Sequence, residues 1–117
     1  MAVKRIVPNI GATAPAAAAR FYGGVLGMRV AMDLGWITTF ASDALASPQI
    51  SIATEGGSGT EVPDLSIEVD DLDEVHRRLI EQGYAIEYGP VTEPWGVRRF
   101  FVRDPFGRLL NILTHIA

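Results

Sequence analysis

The sequence contains no cysteine and only two histidines, His76 and His115, among its 117 residues. The lack of cysteine excludes disulfides, thiolate nucleophiles and thiolate metal sites. Basic residues are in the minority, 10 Lys and Arg against 14 Asp and Glu, whereas nucleic-acid binders usually carry a basic excess. No apolar run is long enough to cross a bilayer, and the N-terminus does not resemble a signal peptide. These absences predict a cytoplasmic protein that binds neither nucleic acid nor membranes.

The length fits a single domain covering 1–117, but the residue pattern runs through the chain twice. The half-modules cover about 4–54 and 64–115, and the Gly-rich linker 55–63 between them is predicted to be flexible. A first helix is expected with Thr13 as N-cap, Pro15 in its first turn and Gly27 at its end. A second helix is expected between Asp71 and Gly83.

Each half predicts one strand, one helix and three further strands. The first half predicts strands over 5–12, 28–33, 36–41 and 48–54, and the second predicts strands over 64–69, 84–88, 97–102 and 108–114. A loop is expected over 89–96, and a tight turn at Asp104-Pro105-Phe106-Gly107. Because one helix leaves one face of its sheet uncovered, the two halves are expected to pair. The sequence predicts an α+β protein of two βαβββ modules, forming a cupped, barrel-like mixed sheet with the helices outside and a cavity inside.

Several short motifs resemble those of the vicinal oxygen chelate superfamily, which contains glyoxalase I, extradiol dioxygenases and fosfomycin- and bleomycin-resistance proteins. They are Phe21-Tyr22, Val25-Leu26-Gly27, Ile67-Glu68-Val69-Asp70-Asp71-Leu72-Asp73, Gly89-Pro90, Trp95-Gly96 and Phe101-Val102-Arg103-Asp104-Pro105-Phe106-Gly107. The resemblance covers nearly the whole chain and implies the fold just described. It leaves the activity open, because the superfamily includes lyases, transferases, dioxygenases and pure binding proteins.

In enzyme members of that superfamily, four positions related by the internal repeat bind a metal, usually through His, Gln or Glu. The resemblance places these positions at Val7 (or Asn9, if the alignment shifts), Ser51, Asp64 and Asn111. Valine cannot coordinate a metal, and serine and asparagine are poor ligands for a divalent ion. We therefore expect neither a metal nor another cofactor.

The two histidines lie away from these positions. His76 falls within the second helix, on a face that should be solvated, and His115 follows the last strand. A surface role is expected for both.

The same positions define the surface that would bind a ligand. If Asp64 and Asn111 point into the cavity, strand alternation directs Ser66 and Glu68 there too. Two tryptophans, Trp36 and Trp95, are candidates for stacking on a planar ligand. The expected ligand-binding residues are therefore Trp36, Ser51, Asp64, Ser66, Glu68, Trp95 and Asn111. Arg98 and Arg99 occupy opposite faces of one strand, and the sequence does not decide which of them faces the cavity.

We expect a metal-free protein that binds a small organic molecule, aromatic or antibiotic-like, and confers resistance by sequestration without chemistry. Asp64 and Glu68 favour a ligand that is cationic or donates hydrogen bonds. The resemblance to bleomycin-resistance proteins further implies a homodimer, with Pro8 consistent with an exchanged N-terminal strand.

Three alternatives to this function remain open. One is a metal-dependent glyoxalase-like lyase or extradiol dioxygenase whose ligands lie elsewhere. Another is a metal-free enzyme with Asp64 or Glu68 as general base. The last is a folded subunit without a ligand.

Overall fold

The computed structural model describes residues 8, 12–36, 38–44 and 52–116. The chain divides into two compact units, Met1–Val62 and Pro63–Ala117. Both combine helical segments with strands, so the predicted α+β class is confirmed. Within the described ranges, no helix is both long and apolar enough to cross a membrane.

The first unit begins its described structure with a helical segment that departs from the expected α-helix. A 3₁₀ turn, Pro15–Ala18, leads into a π-helix, Ala19–Val25. Pro15 lies in the first turn, as predicted, but the carbonyl that accepts the first hydrogen bond belongs to Ala14, so Thr13 lies outside the cap. The wider π-turns coincide with Gly23-Gly24, the residues of lowest helix propensity in the segment. Gly27 ends the segment with φ of 69°, as expected.

Two antiparallel strands follow, β1 (Arg29–Asp33) and β2 (Thr38–Ala41). They confirm the hairpin predicted from the sequence, although Trp36 precedes β2 instead of belonging to it. The turn is fastened by the amide of Gly35, which donates to Asp33 Oδ1 at 2.9 Å. The strands predicted over 5–12 and 48–54 lie mostly outside the described residues.

The linker that was predicted to be flexible forms a hydrogen-bonded turn. The amide of Gly56 donates to the Thr60 carbonyl at 2.8 Å, and the amide of Thr60 donates to the Gly57 carbonyl at 3.0 Å. A third amide, that of Gly59, donates to Glu55 Oε1 at 3.0 Å. The glycines that suggested mobility permit this tight reversal, since Gly57 and Gly59 both have positive φ.

The second unit confirms the order of strand, helix and three strands. It contains β3 (Leu65–Glu68), α1 (Leu72–Glu81), β4 (Ile86–Glu93), β5 (Val97–Arg103) and β6 (Leu109–His115). The four strands form one sheet in the order β3-β6-β5-β4, with β3 parallel to β6 and the other pairs antiparallel.

The predicted loop 89–96 is wrong in extent, because β4 continues through Glu93 and only residues 94–96 form the turn. Beyond a bulge at Gly89-Pro90, Val91 pairs with Arg99 and Glu93 with Val97. Gly89 allows this pairing, since a Cβ there would lie 2.5 Å from the Arg99 carbonyl oxygen.

Helix α1 begins and ends as the sequence indicates. Asp71 caps it by accepting from the amide of Glu74 at 3.1 Å, and Gly83 follows with φ of 84°. Its buried residues are Leu72, Val75 and Leu79. The half-buried His76 ring packs edge-on against Phe100, 5.4 Å between centroids, which corrects the solvated face expected for that histidine.

The exposed side of α1 carries a group of ion pairs. Arg77 donates to both carboxylate oxygens of Glu74, at 2.6 and 2.9 Å, and to Glu81 at 2.7 Å. The hydrogen bonds from Arg77 and then from Arg78 lower the pKa of Glu74 to about 2. Arg77 thus joins Glu74 and Glu81, three and four residues away on the same side of the helix.

Candidate functional site

Strand register assigns one face of the four-stranded sheet to α1 and leaves the other for a site. Phe100 contacts His76 and Arg98 pairs with Asp73, so these β5 residues face the helix. Alternation then places Arg99 on the opposite side from Arg98. We call this opposite side the polar face; it carries Ser66, Glu68, Tyr88, Glu93, Arg99, Phe101 and Asn111.

A buried ion pair lies on the polar face where β4 turns into β5. Arg99 donates from Nη2 and Nε to Glu93 Oε2, at 2.7 and 3.1 Å. Their side chains are 4% and 3% exposed. A charged pair this deeply buried is costly to desolvate and needs close partners to be stable. Tyr88 supplies one further partner by donating its hydroxyl to Glu93 Oε1 at 3.1 Å.

Three aromatic rings surround the Arg99 guanidinium. Its central carbon lies 4.8 Å from the ring centroid of Phe101, 5.0 Å from that of Trp95 and 5.4 Å from that of Tyr88. Such cation–π contacts each contribute on the order of 0.5–2 kcal/mol. Trp95 differs from the other two rings in being 51% exposed. We call these five residues, including Glu93, the Arg99 cluster; it fixes a large, half-exposed aromatic ring on a rigid support.

Beside this cluster, Asn111 has an unusual environment. It is 8% exposed, and its Nδ2 donates to Ser66 Oγ at 3.1 Å. Its carbonyl oxygen, Oδ1, is buried and accepts no hydrogen bond in the part of the chain described. Because a buried acceptor without a donor costs about 1–3 kcal/mol, it is a point at which another molecule's donor would bind favourably.

The two acidic residues that the sequence assigned to ligand binding are both engaged. Asp64 Oδ2 accepts from the amide of Leu109 at 2.9 Å, so this carboxylate fastens the start of β3 to β6. Glu68 Oε2 lies 2.7 Å from His115 Nδ1 at the exposed ends of the same strands. His115 therefore has the surface position expected of it, but with a defined partner.

The chemistry of the donors does not suit a divalent metal. Of the positions at which the resemblance implies ligands, Asp64 and Asn111 are described, whereas Val7 and Ser51 lie outside the described residues. The Asp64 carboxylate is held by a backbone amide, and Asn111 offers only a neutral amide oxygen. In the described ranges, no three His, Asp or Glu side chains are grouped as a metal would require.

The structure thus brings together some of the predicted residues. The polar face carries Ser66, Glu68 and Asn111, and Trp95 lies beside it. Asp64 is the residue directly before β3. Trp36 belongs to the first unit, where it is 75% exposed in the turn before β2. Ser51 lies outside the described residues.

Sequence reasoning missed Tyr88, Glu93 and Phe101, and it named Arg99 only as an alternative to Arg98. The signal was the short segment Pro94-Trp95-Gly96. As a tight turn between two paired strands, it places Glu93 and Arg99 on one face. Interpreting 89–96 as a loop concealed that register.

Comparison with known proteins now assigns the family. The profile of the Glyoxalase/Bleomycin resistance protein/Dioxygenase superfamily matches residues 5–112, and the chain belongs to this superfamily. No curated protein matches the sequence significantly.

Solved structures share the fold at low sequence identity. TioX from Micromonospora sp. ML1 is 22% identical, with 97% of each chain covered and a TM-score of 0.64. TnmS3 from Streptomyces sp. CB03234, an antibiotic binding protein, is 25% identical, with 84% of each chain covered and a TM-score of 0.60. A protein of unknown function from Agrobacterium tumefaciens C58 is 18% identical over 99% of this chain and 95% of its own, with a TM-score of 0.67.

Proposed function

We propose that this protein binds a small aromatic or antibiotic-like molecule on the polar face of its second unit, reversibly and without altering it. The observation that carries the proposal is the half-exposed Trp95 ring held against the buried Arg99. A ring fixed in this way offers a flat apolar surface without losing side-chain freedom on binding. Sequestration of a toxic compound then follows from binding alone.

The family relationship supports the same function. TnmS3, at 25% identity, is an antibiotic binding protein, so this fold can bind such compounds. We extend that activity to the present chain because its polar face combines an aromatic platform with an accepting amide oxygen. The metal-free character of the proposal rests on the residue types at Val7, Ser51 and Asn111, which leave Asp64 as the one carboxylate of the four positions.

We also propose that the protein acts as a homodimer with an exchanged N-terminal strand. The support is the resemblance to bleomycin-resistance proteins and Pro8 in that segment. Sedimentation equilibrium tests the dimer, and a purely monomeric protein at micromolar concentration would contradict it.

The binding test uses the chain's own tryptophans. There are two, so Trp36→Phe leaves Trp95 as the sole indole reporter, and a panel of planar antibiotics is titrated by fluorescence and calorimetry. We expect quenching of Trp95 by a bound compound, and loss of at least about tenfold in affinity in Trp95→Ala. Ile80→Ala, an exposed apolar residue on α1, is the matched control and should bind normally.

Two results would overturn the proposal. Unchanged affinity in Trp95→Ala would remove the Arg99 cluster from the site. Stoichiometric zinc, nickel, manganese or iron in the purified protein, lost on chelation together with turnover of a substrate, would establish the metal-dependent enzyme instead.

A further inference from the structure

The charges of the polar face identify the kind of ligand that it accepts. Glu93 faces Arg99 and Tyr88, Asp64 holds the amide of Leu109, and Glu68 faces His115. The carboxylates on and beside this face are therefore all engaged within the chain. An anionic ligand would meet an arginine that Glu93 already neutralises, and it would be repelled by Asp64, whose charge a backbone amide does not cancel.

Asn111 Oδ1 is a buried acceptor on this face that still lacks a hydrogen-bond donor in the described residues. The Nδ2 of the same side chain is satisfied by Ser66. A carbonyl oxygen accepts and never donates. The complementary ligand atom is therefore an N–H or O–H group, and no charge on it is needed.

Register places this acceptor and the aromatic platform on neighbouring strands. Asn111 lies directly opposite Phe101, and Phe101 is two residues, or roughly 7 Å, from Arg99 along β5. Arg99 in turn lies against Trp95. A ligand that stacks on Trp95 and reaches Asn111 therefore extends past Phe101 and Arg99, which requires more than a single ring.

We propose that the ligand is a planar molecule of at least two fused rings without a negative charge, with a hydroxyl or N–H group that donates to Asn111 Oδ1 while a ring stacks on Trp95. This inference rests on the proposed function and specifies the ligand class for the same site. Of the two features that the sequence favoured, positive charge and hydrogen-bond donation, it requires the second.

The test compares matched probes that differ only at the donor or in charge. 2-Naphthol is the donor, 2-methoxynaphthalene lacks the donor, and 2-naphthoate and (2-naphthylmethyl)ammonium carry opposite charges. Dissociation constants are obtained from ¹⁵N NMR titrations that follow the Trp95 indole and the Asn111 side-chain amide. In the unaltered protein, 2-naphthol should bind about tenfold more tightly than its methyl ether and 2-naphthoate, and the ammonium, which also donates N–H, should likewise bind more tightly than those two.

Variants then locate the preference. Asn111→Leu preserves the size of the side chain but removes the acceptor, so the ratio between 2-naphthol and its methyl ether should fall to about one. Asp73→Asn, on the helix side of the sheet, should retain the full ratio. If Asn111→Leu does not fold, the probe comparison in the unaltered protein decides the question alone.

The possible failures are distinguishable. Equal binding of 2-naphthol and its ether, tightest binding of 2-naphthoate, or a ratio that persists in Asn111→Leu would each overturn this inference and leave small-molecule binding intact. Failure of every probe to shift Trp95 or any other residue of the polar face would overturn both the ligand class and the proposed function.

Discussion

The buried pair Glu93–Arg99 allows the sharpest test of the energetics. Glu93→Gln keeps the shape of the side chain and its hydrogen-bonding capacity but removes the charge. The guanidinium would then stay buried, 4% exposed, without its counter-ion. Removing one partner of such a pair costs about 3–5 kcal/mol. Because glutamine still accepts from Arg99 and Tyr88, we expect the lower end, about 3 kcal/mol of unfolding free energy.

The matched control is the exposed ion pair made by Arg98, the other arginine at the centre of β5. Arg98 pairs with Asp73 on the helix side, but these side chains are 36% and 80% exposed. Exposed pairs contribute about 0–1 kcal/mol because solvent screens them. Asp73→Asn should therefore change the unfolding free energy by less than about 1 kcal/mol.

Urea denaturation followed by circular dichroism measures both variants, and a double-mutant cycle isolates the interaction. Replacing the pair by apolar side chains, Glu93→Leu with Arg99→Met, should recover most of the stability lost in either single variant. The reasoning is refuted if Glu93→Gln costs no more than Asp73→Asn. It is equally refuted if the double variant is as unstable as the two single variants summed.

Three further predictions concern other parts of the fold. The folded-state pKa of Glu74 is about 2 against a usual 4.5. Its stabilising effect should therefore be complete above about pH 4.5 and lost as the pH falls towards 2. The difference in unfolding free energy between Glu74→Gln and the unaltered protein should vanish over that range. Gly89→Ala should destabilise the protein by more than about 2 kcal/mol in thermal melts, because the added Cβ would meet backbone atoms. Gly59 has the same φ of 76°, but an added Cβ there has no atom within 4 Å. Gly59→Ala should therefore cost only about 1 kcal/mol. Asn111→Leu should leave the unfolding free energy unchanged or raise it by up to about 1 kcal/mol in urea, because it removes a buried acceptor without a donor; a loss of 2 kcal/mol or more would contradict that account.

Much of the second unit could be predicted from local signals. Asp71 and Gly83 bound α1 because caps act within a few residues. The alternation from Leu65 to Glu68 and the turn Asp104–Gly107 likewise depend on neighbouring residues alone. What sequence reasoning missed, the continuation of β4 to Glu93, depends on pairing with β5 across a bulge.

In the first helical segment, by contrast, local signals predict the wrong structure. Alanine-rich sequence predicts an α-helix by propensity, yet hydrogen bonds from Leu26 to the Phe21 carbonyl and from Met28 to the Tyr22 carbonyl form instead. Phe21, Tyr22 and Val25 are all buried. Bringing these three side chains inward outweighs the small propensity differences, on the order of 0.5–1 kcal/mol per residue, that favour regular turns.

Sequence reasoning named single residues of the candidate site but not their arrangement. Asn111 and Ser66 follow from alternation, which the sequence shows directly. The Arg99 cluster does not, because burial and ring contacts arise only when the hairpin folds. A charged residue in a sequence predicts solvent exposure, and that expectation is reversed here by Glu93 and three aromatic rings.

The buried pair also separates stability from function in one measurement. If apolar replacement of Glu93 and Arg99 restores the unfolding free energy, the pair is not needed for folding, and its role must be sought in what it positions. The residue that it positions is Trp95, whose ring lies against the Arg99 guanidinium. We expect the double variant to fold but to bind planar ligands at least about tenfold more weakly, because the indole then loses its fixed support and pays rotamer entropy on binding. A double variant that is both stable and fully active in binding would show that Trp95 needs no such support.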